Sequence, residues 1–179
     1  MRSILKLILV ILICEAAGVV GAVVTGPAVA TWYVGLAKPA LNPPAWVFGP
    51  VWLTLYALMG IAAFLVWQKW NATEGMVQRD GAATGTDARP TTDPAQRIVR
   101  IALGVFVLQL VLNTLWSIIF FGWHNIGGAL WELLLLEAII MLTIYLFSCV
   151  SKAAAWLLLP YVLWVAFALY LNATIFLLN

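Results

Sequence analysis

The sequence predicts an all-α membrane protein, a bundle of five transmembrane helices forming one domain over residues 1–179. Three observations predict it. Of the 179 residues, 65% are hydrophobic and only 9% charged, too little charge to cover a water-soluble domain of this length. Five apolar runs, 4–24, 46–67, 98–120, 129–150 and 155–178, meet the roughly 20 residues that a hydrocarbon core ~30 Å thick demands of each helix. Basic residues are also segregated. With five spans, Arg2, Lys6, Lys69, Arg79, Arg89, Arg97, Arg100 and Lys152 share one side and Lys38 stands alone on the other. Lys and Arg collect on cytoplasmic loops, so the expectation is a multi-pass protein of a bacterial cell membrane with a cytoplasmic N-terminus.

The net charge of +2 and the lack of a basic stripe exclude nucleic acid as a partner. Arg2, Lys6 and the small residues Ala28-Val29-Ala30 imitate a signal peptide. The apolar run is too long for one, however, and carries Glu15 and the packing glycines Gly18, Gly21 and Gly26, so it reads as a retained first helix. Between the second and third runs, residues 68–97 are polar, aperiodic and rich in Ala, Thr, Gly, Asp and Pro. That composition predicts a disordered loop. Cys14 and Cys149 lie inside apolar runs and read as small buried residues. No metal-ligand spacing accompanies them, and no metal site is expected.

The connection from Thr25 to Pro50 holds Pro27, Pro39, Pro43, Pro44 and Pro50 with Trp32, Tyr33 and Trp46. Proline fixes φ and removes a donor, so the segment is expected to be a stiff, extended cover over the helix ends, although Trp and Tyr also favour a plain interfacial belt. Three helices carry polar and aromatic stripes at helical spacing: Trp52, Tyr56, Met59, Ala63 and Trp67 on the second; Gln109, Asn113, Trp116 and Phe120 on the third; Tyr161, Trp164, Ala168 and Asn172 on the fifth, just past Pro160. By depth these stripes converge beneath the proline-rich connection, which points to a pocket. A buried amide in hydrocarbon must be paired, and for Gln109 and Asn113 helix–helix bonding stands beside ligand binding as an equal reading. Glu15 and Glu137 fall near mid-bilayer and Glu132 near the outer interface. Glu132 and Glu137 are about 140° apart on a helix, too far to act as a carboxylate pair. His124, the only histidine, reads as interfacial, with axial haem ligation as the sharper alternative.

The residues Trp32-Tyr33-Val34-Gly35-Leu36-Ala37-Lys38-Pro39, Pro43-Pro44 and Gly49-Pro50-Val51-Trp52, with Leu55-Tyr56 and Met59-Gly60, resemble the TspO/MBR family of tryptophan-rich sensory and translocator proteins. The likeness continues through Gln109, Leu112-Asn113, Trp116-Ser117, Phe120-Phe121-Gly122, Ala129-Leu130, Glu132, Pro160-Tyr161, Trp164, Phe167-Ala168 and Leu171-Asn172, covering nearly everything except residues 68–97. The resemblance implies a five-helix bundle, usually a homodimer, binding porphyrins, haem or other flat apolar small molecules beneath the first connection, with no cofactor required. Residues matching that pocket are Trp52, Asn113, Trp116, Trp164 and Ala168, with Trp32, Pro43, Pro44 and Trp46 in the cover. Tyr56, Gln109 and Asn172 join them from the stripes, and Lys38 is placed to meet a ligand carboxylate. Some members degrade porphyrins in light, a role that would fall to Trp52 and Trp164. The chain departs from the family at Gly128, where animal members often carry a pocket tryptophan that Trp123 is placed to replace. Its C-terminal residues also lack the cholesterol-recognition pattern.

Three functions stay open at this level: a tetrapyrrole-binding sensor, a light-dependent porphyrin-degrading enzyme without a conventional acid–base constellation, and a transporter of tetrapyrrole or lipid ligands. The last lacks the inverted repeats and broken helix pairs typical of transporters.

Overall fold

A computed structural model describes the backbone of residues 2–84 and 94–179 and the side chains of residues 3–70 and 94–179. Helix α1 (Arg2–Ala30) leads through a 3-10 turn (Tyr33–Gly35) and a short non-helical stretch to α2 (Ala45–Thr84). Helix α3 (Pro94–Ser117) ends in a π turn (Ile118–Gly122), and α4 (Ile126–Val150), α5 (Lys152–Leu157) and α6 (Leu159–Leu178) complete the chain. Five segments are long and apolar enough to cross a bilayer, with α5 and α6 jointly forming the fifth. No strand occurs among the described residues. This is the expected five-span, all-α architecture.

The end of α1 differs from expectation for a physical reason. Helix α1 runs on to Ala30 with Pro27 inside it. A proline deletes one ladder bond, but hydrocarbon offers no water to the freed backbone groups, so leaving the helix would cost more than continuing it. The Thr25 and Thr31 hydroxyls donate to the Gly21 and Pro27 carbonyls, each at 2.9 Å. Helix α2 starts at Ala45, one residue before the expected run, with Pro50 inside it. The extended cover is therefore confined to residues 36–44. The polar stretch expected to be a disordered loop over 68–97 is helical up to Thr84 and again from Pro94. No proline interrupts α2 between Pro50 and Thr84, and Ala, Gln, Glu, Lys, Met and Arg are all good helix formers. Residues 85–93 of that expected loop lie outside the described residues.

The helices pack through small residues. A Cβ at Gly60 would come 2.7 Å from the Ile11 Cα, so α1 and α2 touch backbone to backbone there. A Cβ at Gly18 would overlap the Tyr56 ring. Against α3, Thr114 donates to the Ala17 carbonyl at 3.3 Å, and a Cβ at Gly21 would meet the Ser117 hydroxyl at 3.1 Å. Ala17 and Gly21 thus make an internal contact with α3. Cys14 is buried as expected, but Cys149 is exposed on the outer face of α4.

In the fifth span, Pro160 removes a donor and collides with the preceding turn. The helix breaks at Leu158, whose amide bonds back to the Ala155 carbonyl at 3.1 Å. Helix α5 packs against both α2 and α4, whereas α6 packs chiefly on α4. The divergence after Leu158 opens space between α1, α2, α3 and α6.

Replacing Gly60 with valine should lower stability by about 1–3 kcal/mol through overpacking, read as a lower thermal midpoint in detergent. Gly104→Ala, with nothing within 4 Å of the new methyl, should match or exceed the parent.

Candidate functional site

The space left by the diverging α6 is a cavity of about 830 Å³ beneath the 36–44 connection. Its walls come from one face of α1, the start of α2, the end of α3 with its π turn, and the outer half of α6; no residue of α4 lines it. Of the residues singled out in sequence, Lys38, Pro43, Pro44, Trp52, Tyr56, Asn113, Trp116, Trp164, Ala168 and Asn172 surround it.

A hydrogen-bond chain holds the inner end. The Tyr56 hydroxyl of α2 donates to the Asn113 carbonyl oxygen of α3, and the Asn113 amide donates to the Tyr161 hydroxyl of α6 at 3.1 Å. Both Asn113 and Tyr161 are buried. The asparagine therefore serves helix–helix bonding, keeping one N–H for anything that enters the cavity. Asn172 makes the matching outer tie. It accepts from the Trp116 indole at 3.2 Å and donates to the Ile126 carbonyl at 3.0 Å, joining α6 to α3 and α4.

Aromatic rings furnish the walls between these ties. Trp52 lies 5.6 Å from Tyr56 and 6.4 Å, edge-on, from Tyr161. Trp116 stacks on Phe120 at 5.3 Å, and Trp164 meets Phe48 edge-on at 5.8 Å. The buried Trp164 indole nitrogen has no partner, an uncompensated donor in a residue that lines the cavity.

The connection over the mouth is cross-braced. The Tyr33 hydroxyl donates to Asn42 at 2.9 Å. Burial pushes the Tyr33 phenol above its ordinary pKa, and the bond to Asn42 works the other way. Lys38 donates to the Leu36 and Val34 carbonyls at 2.9 and 3.2 Å, and its ammonium lies 4.8 Å from the Tyr33 ring centroid. Lys38 thus builds the cover and has one N–H left for a carboxylate. At the far terminus Asn179 bonds both the amide and the carbonyl of Ala37, at 3.0 and 3.1 Å.

Four expected lining residues sit elsewhere. Trp46 is 75% exposed on the outer face of the first α2 turn, so it belongs to the interfacial belt. Trp32 packs on Phe120 and stacks on His124 at 4.3 Å, propping the connection from outside the cavity. Gln109 lies deep between α2 and α3, its amide 3.7 Å from the Met59 sulfur and its carbonyl oxygen unpartnered. Trp123, placed to replace a pocket tryptophan, is 67% exposed. Glu132, expected near interfacial water, is instead buried with both carboxyl oxygens unpartnered, because its side chain shares the inward face of α4 with Ala129, Leu133 and Leu136. Sequence reasoning missed the α1 wall of Glu15, Gly18, Ala22, Thr25 and Val29, and also Phe48 and Phe121. The signal for α1 was a run of small residues at helical spacing.

The TspO/MBR family model matches residues 10–178. The chain is 38% identical over 179 residues to the tryptophan-rich protein TspO of Archaeoglobus fulgidus, covering 99% of each chain. To the tryptophan-rich protein TspO of Chlorobaculum tepidum it is 37% identical over 179 residues, covering 99% of this chain and 98% of that one. To the human translocator protein it is 39% identical over 142 residues, covering 79% of this chain and 70% of that one.

Asn113→Ala should strand the Tyr56 and Tyr161 hydroxyls and cost about 1–2 kcal/mol, read as a lower unfolding midpoint in detergent. Gln109→Leu removes an amide with a single weak contact and should be nearly neutral.

Proposed function

This chain belongs to the TspO/MBR family, and on that premise we propose that it is a membrane-embedded binding protein or sensor for porphyrins and related flat apolar ligands, acting on their traffic or metabolism. The observation that carries the reading is the cavity of about 830 Å³ with the indoles of Trp52, Trp116 and Trp164 among its lining. That size falls within the roughly 300–1,000 Å³ of small-molecule sites. A tetrapyrrole is a rigid plate whose binding energy comes from burying its faces, and indole rings supply large stacking surfaces at low entropic cost. The free N–H of Asn113, the unpartnered Trp164 indole N–H and the remaining N–H of Lys38 are the donors for ligand carbonyl or carboxylate oxygens. The proposal includes a homodimer, with its contact away from Ala17 and Gly21, and a cytoplasmic N-terminus in a bacterial cell membrane, on the charge asymmetry of the loops.

A second reading, light-dependent porphyrin breakdown, draws support from the Trp52, Tyr56 and Tyr161 rings, which lie within 6.4 Å of one another along the Trp52 contacts. Oxidisable rings in such contact offer a route for an electron hole generated beside an excited porphyrin.

Titrating the purified protein with protoporphyrin should quench tryptophan fluorescence saturably, and Trp52→Phe and Trp164→Phe should each weaken binding about tenfold, the equivalent of ~1.4 kcal/mol of lost stacking. Absence of saturable quenching, or affinities unchanged in both variants, overturns the binding reading. Porphyrin loss under illumination that outpaces the free pigment, and disappears in Trp52→Phe, would assign the enzymatic one.

A further inference from the structure

Helix α1 presents one continuous stripe to the cavity, from Glu15 through Gly18, Ala22 and Thr25 to Val29. At 1.5 Å per residue this stripe is about 21 Å long, and Glu15 marks its inner end near the middle of the span. A carboxyl at that depth needs a partner, because neither lipid nor packed apolar side chains can replace water around it. Among the described residues Glu15 has no hydrogen-bond or ion-pair partner. Two polar groups that line the cavity with it are tied to one another: Tyr56 donates to Asn113, and Asn113 donates to Tyr161, which leaves one Asn113 N–H. On its own helix the neighbouring side chains are the Cys14 thiol, which is buried, and the small residues Ala16, Ala17 and Gly18. At the opposite end of the cavity stands the ammonium of Lys38. The two ends thus carry opposite chemistry, a cation under the cover and an acid in the depth.

We propose that Glu15 is the inner anchor of the cavity, accepting an N–H donor of the ligand and most favourably a protonated amine. The proposal rests on the cavity being a ligand site and adds a polarity to it. A ligand would lie with its basic or N–H-bearing end inward and any acidic end toward Lys38.

The test compares 9-aminoacridine with acridine, two flat probes of one ring frame, at a pH where only the first is charged. Binding to detergent-solubilised protein is read from the quenching of tryptophan fluorescence. The wild type should prefer 9-aminoacridine, Glu15→Gln should weaken that probe at least about tenfold while leaving acridine within about twofold, and Glu15→Asp should keep the preference. Equal weakening of both probes, no change in either, or loss of the preference in Glu15→Asp overturns the anchor. If protoporphyrin binds the wild type but neither acridine does, the anchor fails and the binding reading stands. If protoporphyrin also fails to bind, the binding reading falls with it.

Discussion

Hydrocarbon gives a polar side chain no second chance, and the hydrogen-bond chain Tyr56–Asn113–Tyr161 is where that constraint shapes this protein. An amide in the bilayer interior must find its partners on neighbouring helices, and Asn113 finds one on α2 and one on α6. Those two helices are also the ones that draw apart above the break at Leu158. The chain therefore acts as a floor. Inward of it the bundle is closed around Met59, Leu136, Ile140 and Phe147, all nearly inaccessible; outward of it the same helices frame an opening. The Trp116–Asn172–Ile126 tie performs the corresponding service at the outer end.

Between the two ties, space is made by what the side chains leave out. Glycine at positions 18, 21 and 60 brings α1 close enough to α2 and α3 to seal that side without projecting anything into the interior. Large rings do the opposite on α2, α3 and α6. A wall made largely of small residues thus faces walls of indole and phenol across the cavity. The helix that seals it is also the one with the smallest share of its span buried within the protein, at 11%.

The span count and the converging stripes of α2, α3 and α6 were legible because length and the 100° period are imposed by the bilayer and by helix geometry alone. Other features were not legible, each for a definite reason. Helix α1 shows little contrast between faces, since lipid on one side and a cavity on the other both tolerate Ala, Val and Gly, so its small residues at helical spacing did not separate lining from packing. Trp32 and Trp46 carry the same residue type as Trp52 and Trp164, and composition does not separate an interfacial ring from a pocket ring. Asn113 and Gln109 stand one turn apart on α3, yet one meets two phenols and the other a thioether. Only the positions of the neighbouring helices distinguish them. The helical continuation to Thr84 was hidden because polarity was read as disorder, whereas a helix that has left the membrane no longer needs an apolar face.

The break at Leu158 reaches further than its own turn. Every residue of α6 inherits its azimuth from that point, so Trp164, Ala168 and Asn172, which share one face, swing as a unit about the helix axis. Phase at Pro160 is thus a single coordinate that aims an indole, a methyl and an amide together. A differently seated proline would present a rotated version of the same three groups to the cavity without any lining residue being exchanged.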